Sequence, residues 1–204
     1  MQATASPANG DLQERSRHNR SSFWRSILLE LLALLIFVGI FNLLLPNMGD
    51  TLDDVTLIVL GVILSVVPAA IWLTIFYRAD RAEPEPKKLV VTVYLAGLLV
   101  AAALNQLVLS TIFDVESWMF DFWWSQFLGE ILIVGFLSMG AVYLVVRFLV
   151  FLQPEFDERM DGIVYAVAAG LGVATVSNFN YVLAHGGVDL DIGSIRMVVN
   201  TLGF

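Results

Sequence analysis

The sequence predicts an all-α fold, a polytopic transmembrane helix bundle of five full spans plus the start of a sixth, and three observations carry that expectation. Of its 204 residues, 58% are hydrophobic and only 15% charged, whereas about a quarter of a soluble domain is charged. The apolar residues gather into runs long enough to cross a hydrocarbon core of about 30 Å, which takes roughly 20 helical residues. The basic residues gather on alternate connections, the pattern that orients a multi-pass protein.

The first run, Ile27 to Leu45, follows a polar segment, residues 1–22, rich in Ser, Asn, Gln and Arg. Such composition predicts a disordered tail. No small-residue cleavage site follows the run, so it reads as a retained anchor and not as a signal peptide. The second run, Val55 to Phe76, contains Pro68, which removes a backbone donor and should kink the helix. The third is Leu89 to Phe113, and the connection before it is "YRADRAEPEPKK", residues 77–88. Its Glu-Pro-Glu-Pro core cannot continue a helix, because proline lacks an N–H and pushes the residue before it toward extended geometry. A stiff elbow is expected there, either a topogenic loop or a docking surface. The fourth run, Phe122 to Phe148, contains Glu130. The connection "QPEFDERMDG" then ends at Asp161, which suits the N-cap of the fifth run, Gly162 to Leu183. A sixth run opens at Ile192 and stops at Phe204 inside an unfinished helix. Residues 23–204 therefore read as one transmembrane domain.

Ten of the eleven Lys and Arg lie before the first run, between the second and third, or around the connection from the fourth to the fifth. The opposite loops hold Asp50, Asp53, Asp54, Asp114, Glu116, Asp121, Asp189 and Asp191, with Arg196 as their one basic residue. The positive-inside rule puts the N-terminus in the cytoplasm and the acidic loops outside. Net charge is −8, with no basic stripe, which excludes a nucleic-acid partner. The absence of cysteine excludes disulfides and thiolate metal sites. His18 and His185 stand too far apart in depth to share a zinc site, which takes three or four converging ligands. No metal or other cofactor is expected, and no protease helix, nucleophile-elbow or phosphate-loop pattern occurs. The aromatic residues Trp72, Tyr77, Trp118, Trp123 and Trp124 fall mainly near span ends and read as interfacial anchors.

Polar residues inside the spans are the functional candidates. A charge at mid-bilayer costs on the order of 2.5–3.5 kcal/mol on insertion scales, so Glu130 needs a reason to be there. Glu130, Asn178, Asn105, Gln106 and Arg196 share the outer leaflet within about 10 Å of depth at 1.5 Å per residue. With Ser177 and Tyr181 they form a predicted polar cluster. Gln126, Ser138 and Ala141 fall on one helical stripe with Glu130, which marks that face as the polar, small one. In the fifth run Gly162, Ala166, Gly170 and Ala174 recur every four residues, a packing face for another backbone, and the same stripe continues to Asn178. Glu130 is then paired with Arg196, neutral and bonded to Asn178 or Asn105, or a catalytic acid, base or ligand.

"YRADRAEPEP" followed by a span, and "DERMDGIVYAVAAGLGVATVSNFNY" from Asp157 to Tyr181, resemble the PrsW family of bacterial intramembrane proteases, distantly related to the prenyl-protein (CAAX) endopeptidases. The resemblance covers about residues 77–204. It implies a multi-pass protein of the bacterial inner membrane and a site in three parts: paired glutamates with a lysine three residues after the second, a Glu-Asn pair on a Gly-rich helix, and a later histidine. The first part falls on Gly129, Glu130 and Ile133, and the second on Ser177 and Asn178. No histidine follows Arg196. On this resemblance the catalytic candidates are Glu130 and Asn178, in a degenerate site. Activating water for peptide hydrolysis takes a metal cage or a biased acid–base pair, and one carboxyl group supplies neither. The expectation is an inactive member that serves as a binding or accessory subunit, its partners the lipid bilayer and other membrane proteins. The competing expectation is an active intramembrane metalloprotease that cleaves membrane-anchored regulatory proteins. A small transporter or pigment-binding subunit has no positive signal.

Overall fold

The computed structural model describes residues 25, 27–40, 43, 53–79, 85–119, 121–154, 156, 159–184 and 198–201. Among these the chain is helical, with no strand. Helix α1 spans Ile27–Ile40 and α2 spans Asp54–Ala79. Helix α3 spans Lys87–Ile112, α-helical to Leu104 and π-helical over Asn105–Ile112. A single turn, α4, covers Val115–Trp118. Helix α5 spans Trp123–Leu149, with a π-helical stretch at Glu130–Gly135, and α6 spans Arg159–Ala184. Four of these, α2, α3, α5 and α6, are long and apolar enough to cross a membrane, and α1 is a shorter apolar helix. The protein is an all-α membrane helix bundle. The predicted tail, His185, Arg196 and the opening of the sixth run lie outside the described residues.

Local signals explain where the helices start. Asp53 caps α2: the Thr56 hydroxyl donates to Asp53 Oδ1 and the Thr56 amide to Oδ2 at 3.4 Å. The hydroxyl bond, more than any other contact, holds the Asp53 carboxyl below the usual carboxylate range. Pro86 cannot donate within a helix, but its carbonyl accepts from the Leu89 and Val90 amides and so opens α3. Asp161 is not the N-cap of α6 but lies inside its first turn, buried, where the helix dipole favours a carboxylate.

Helix α6 is the hub. It packs against α2, α3 and α5 and is buried over most of its length. The chain permits this because α6 is rich in Gly and Ala, so neighbouring backbones come close. The closest approach is at Gly97 of α3 and Gly172 of α6. A Cβ on Gly97 would stand 2.3 Å from the Ala169 carbonyl oxygen, and one on Gly172 2.3 Å from the Tyr94 carbonyl oxygen. On the stripe singled out from spacing, Gly170 and Ala174 are buried while Gly162 and Ala166 are half-buried. The tightest contact thus uses a neighbouring face of the same helix. Helix α1 joins through Phe37, which packs on Leu60, Leu64 and Val182.

The largest core cluster, with Val90, Val93, Val145, Val150, Val164, Tyr165, Ala168 and Ala169, fills the half of the bundle nearest the α2–α3 and α5–α6 connections. At that end the two stretches that carry the family resemblance meet. The Tyr77 hydroxyl donates to the Glu85 carbonyl at 3.0 Å, and the Tyr165 hydroxyl donates to the Glu85 carboxylate. Glu85, Asp161 and Tyr165 are all buried. Glu85, just before Pro86 and the start of α3, is therefore clamped onto the bundle by two tyrosines.

Candidate functional site

The opposite half is built differently. Both α3 and α5 turn π-helical there, over Asn105–Ile112 and Glu130–Gly135. In α3 the Ser110 and Thr111 hydroxyls donate to the carbonyls of Asn105 and Gln106, and the Phe113 amide to Val108, each five residues back. In α5 a Cβ on Gly135 would stand 3.2 Å from the Glu130 carbonyl oxygen, also five residues back. Such turns are uncommon and collect at functional sites.

Between the two π-helical stretches and α6 lies a cavity of about 150 Å³, lined among others by Asn105, Ser138, Ser177 and Asn180, with Ala101, Ala141 and Val173 packed beneath it. A second, larger space of about 520 Å³ opens between α2, α3 and α6, with Ser65, Gln106 and Thr175 in its wall. Asn105 and Asn180 line both. The Thr175 hydroxyl, which donates to the Leu171 carbonyl and pairs with the Tyr94 hydroxyl at 3.0 Å, closes the floor of the second space. Asn180, Ser65 and Thr175 were not singled out from sequence. Asn180 carried a usable signal, since it lies three residues, one helical turn, beyond Ser177.

The predicted polar cluster is divided. Asn105 and Ser177 face the same cavity, and Gln106 lines its neighbour. Asn178 is buried and turned elsewhere: its Nδ2 donates to Thr201 Oγ1 at 3.0 Å, and its Oδ1 accepts from Asn200 Nδ2 at 3.2 Å. It fastens the 198–201 segment, whose Val198 carbonyl also accepts from Trp72 Nε1 at 3.3 Å. Trp72 is thus a structural donor rather than a free interfacial anchor, as are Tyr77 and Trp118, whose indole donates to the Phe113 carbonyl. Tyr181 packs against the Leu60, Leu64 and Val182 cluster. Arg196 lies outside the described residues.

Glu130 departs furthest from expectation. It is exposed, and Gln126 Nε2 donates to its Oε1 at 3.3 Å. Ser138 and Ala141, expected on its stripe, face the cavity instead. The π-helical stretch explains the split. An inserted residue rotates everything before it by about 100° relative to everything after, at 3.6 residues per turn. Its neighbour Gly129 is buried against the loop that holds α4, where a Cβ would meet Met119 Cγ and Sδ at 2.8 Å.

These features define a polytopic helical membrane protein with a packed half and a hollow, polar half. The PrsW family profile, described as that of an intramembrane metalloprotease, matches residues 85–203, and the chain belongs to this family. Protease PrsW of Geobacillus kaustophilus is 36% identical over 123 residues, 59% of this chain and 51% of that protein. Protease PrsW of Bacillus subtilis is 26% identical over 121 residues, 59% and 53% respectively. That of Clostridioides difficile is 25% identical over 144 residues, 68% and 57%. The chain spans about half the length of the curated relatives it matches. No solved structure matches significantly.

The family description implies a metal, and the donors among the described residues do not fit one. Divalent catalytic metals take about three protein ligands of the imidazole, carboxylate or thiolate kind. Glu130 pairs with an amide, and Gly129, Ile133 and Ser177 occupy the positions to which the resemblance assigns the other charged groups. Among the described residues no three His, Cys, Asp or Glu side chains converge.

Proposed function

We propose that this chain is a PrsW-family membrane protein that has given up peptide hydrolysis and acts as a binding or accessory subunit of a membrane complex. The observation that carries this reading is the place of Gly129. The resemblance puts the first of two adjacent glutamates there, and Met119 fills the space its side chain would need. The second position, Ser177, opens on a cavity beside other neutral polar groups, which can donate and accept hydrogen bonds but cannot move a proton near neutral pH. The distribution of basic residues supports an orientation with the Glu85 end in the cytoplasm and the cavities toward the outer leaflet.

The test is reconstitution of the full chain in liposomes with membrane-anchored substrates of related proteases. No cleavage above that of protein-free vesicles is expected, together with co-purification of a stoichiometric membrane partner from native membranes. Cleavage that disappears in Glu130→Gln would overturn the reading. It would establish instead the second one, an active intramembrane metalloprotease acting on membrane-anchored regulators, which family membership itself favours.

A further inference from the structure

We propose that the outward face of α5 around Glu130 and Gln126 is a docking site for a partner transmembrane helix that carries a lysine or arginine at matching depth. The inference deepens the functional reading above and rests on it, because it assigns Glu130 to recognition instead of hydrolysis.

Glu130 lies seven residues into α5, about 10 Å along the helix at 1.5 Å per residue, and its carboxyl group is exposed there. An ionised carboxylate has about four acceptor sites, and the single described donor is Gln126 on the preceding turn. The same face presents Trp123, Phe127 and Ile131, all exposed and spaced four residues apart, an apolar ridge beside the polar pair. That is the anchor spacing of one helix laid along another. The π-helical stretch gives the face its chemistry. Without the extra residue Glu130 would share a stripe with Ser138 and Ala141 and point toward the cavity.

Charge complementarity selects the occupant. Carboxylates within the membrane are matched by cations or by backbone and amide donors. Among the described residues the basic ones, Arg25, Arg78, Lys87, Lys88, Arg147 and Arg159, belong to the other end of the bundle. Arg196 lies outside the described residues, so the binding test below is repeated in Arg196→Gln. The lysine preference should be unchanged in that variant, and its appearance only there would assign Glu130 to Arg196 instead. Arg147 is seventeen residues further along α5, about 25 Å away. A second copy of this chain docked on the same face would set Glu130 against Glu130, like against like. A cation on a different helix satisfies the carboxylate and leaves the Gln126 amide to bond its backbone or side chain.

The test uses the full chain in phosphatidylcholine vesicles with synthetic transmembrane peptides of about 20 leucines. One peptide is all leucine, and the others carry a single lysine, arginine or glutamate about seven residues from one end. Association is read by energy transfer between labelled protein and labelled peptide. The lysine and arginine peptides should bind about tenfold more tightly than all-leucine, the scale of one good intramembrane polar contact. Most of that preference should vanish in Glu130→Gln and persist in Glu130→Asp. Equal binding of the four peptides, or a lysine preference that survives Glu130→Gln, overturns the proposal. So does energy transfer between copies of the protein that Glu130→Gln abolishes, which would assign the face to self-association. Peptide cleavage is measured in the same vesicles. Glu130-dependent cleavage would sink the non-catalytic reading even where binding holds, so the two failures are distinguishable.

Discussion

The end of the bundle that holds Glu85, Tyr165 and Asp161 and the end that holds Asn105, Ser177 and Asn180 both place polar groups among helices, but by different means. At the first end each such group is buried in close packing, and Glu85 is bonded through its carboxylate and its carbonyl. At the second end the polar groups line open space between helices whose backbones have loosened into π-helical turns. Full satisfaction makes a polar network rigid, whereas partial satisfaction leaves it ready for a partner. The difference teaches which half holds the fold and which half is free to bind.

The contact at Gly97 and Gly172 should give the strongest test of that division, because backbone meets backbone there with no flexible side chain to yield. Gly172→Leu should force α3 and α6 apart and lower stability by about 3 kcal/mol or more, at or beyond the upper end of ordinary overpacking. Loss of the folded species, read by thermal unfolding in detergent, is the expected outcome. Near-native stability would mean that the two halves do not differ in packing.

Tyr165→Phe comes next. It removes one hydroxyl from a site with no exposed surface and takes a donor from the buried Glu85 carboxylate. A hydrogen bond to a charged group of this kind contributes about 1.5–3 kcal/mol. The loss should appear in the same unfolding assay, with faster proteolysis at the 77–88 elbow as its local signature. A change below the noise of the assay would show that the clamp does not stabilise the packed end.

Asn178→Ala tests the boundary between the halves, since Asn178 is the buried group that fastens the 198–201 segment. Interhelical hydrogen bonds in membranes average about 0.6 kcal/mol, so global stability should fall only slightly. The local effect should be larger. The chain contains no cysteine, so a Val198→Cys background, which leaves both Asn178 bonds in place, gives one labelling site, and Asn178→Ala should speed its modification several-fold. An unchanged rate would mean that Asn178 does not hold the segment.

Much of this organisation was legible in the sequence. Long apolar runs and breaks at Pro86 and around Asp161 are one-dimensional signals, and they placed the four long helices to within a few residues. The role of Asn178 as a buried contact followed from its register on α6. The orientation of Glu130 did not, because a regular 3.6-residue period fails through the π-helical stretch Glu130–Gly135, where one inserted residue changes the face. Nor could spacing reveal that Met119 covers Gly129, since that contact depends on how the loop after Phe113 folds back. Its path is set by Asp114 at φ 43°, a left-handed residue that favours a tight reversal without dictating its direction. Periodicity finds the helices, but loop paths and local unwinding decide what faces the site.

The smallest expected effect is at the cavity itself, and it bears most directly on the difference between the halves. Ser177 lines a space of about 150 Å³ with neighbours that are themselves small or polar. Ser177→Leu adds volume where volume is free, without removing a bond that any packed contact needs, so stability should change by about 0.5 kcal/mol or less. The contrast with Gly172→Leu on the same helix is the point: the same side chain introduced five residues apart should be ruinous at one position and nearly silent at the other. Differential scanning of the two variants side by side checks it. If Ser177→Leu proved as damaging as Gly172→Leu, the cavity would be as tightly packed as the rest, and the hollow half would have no room for anything but its own helices.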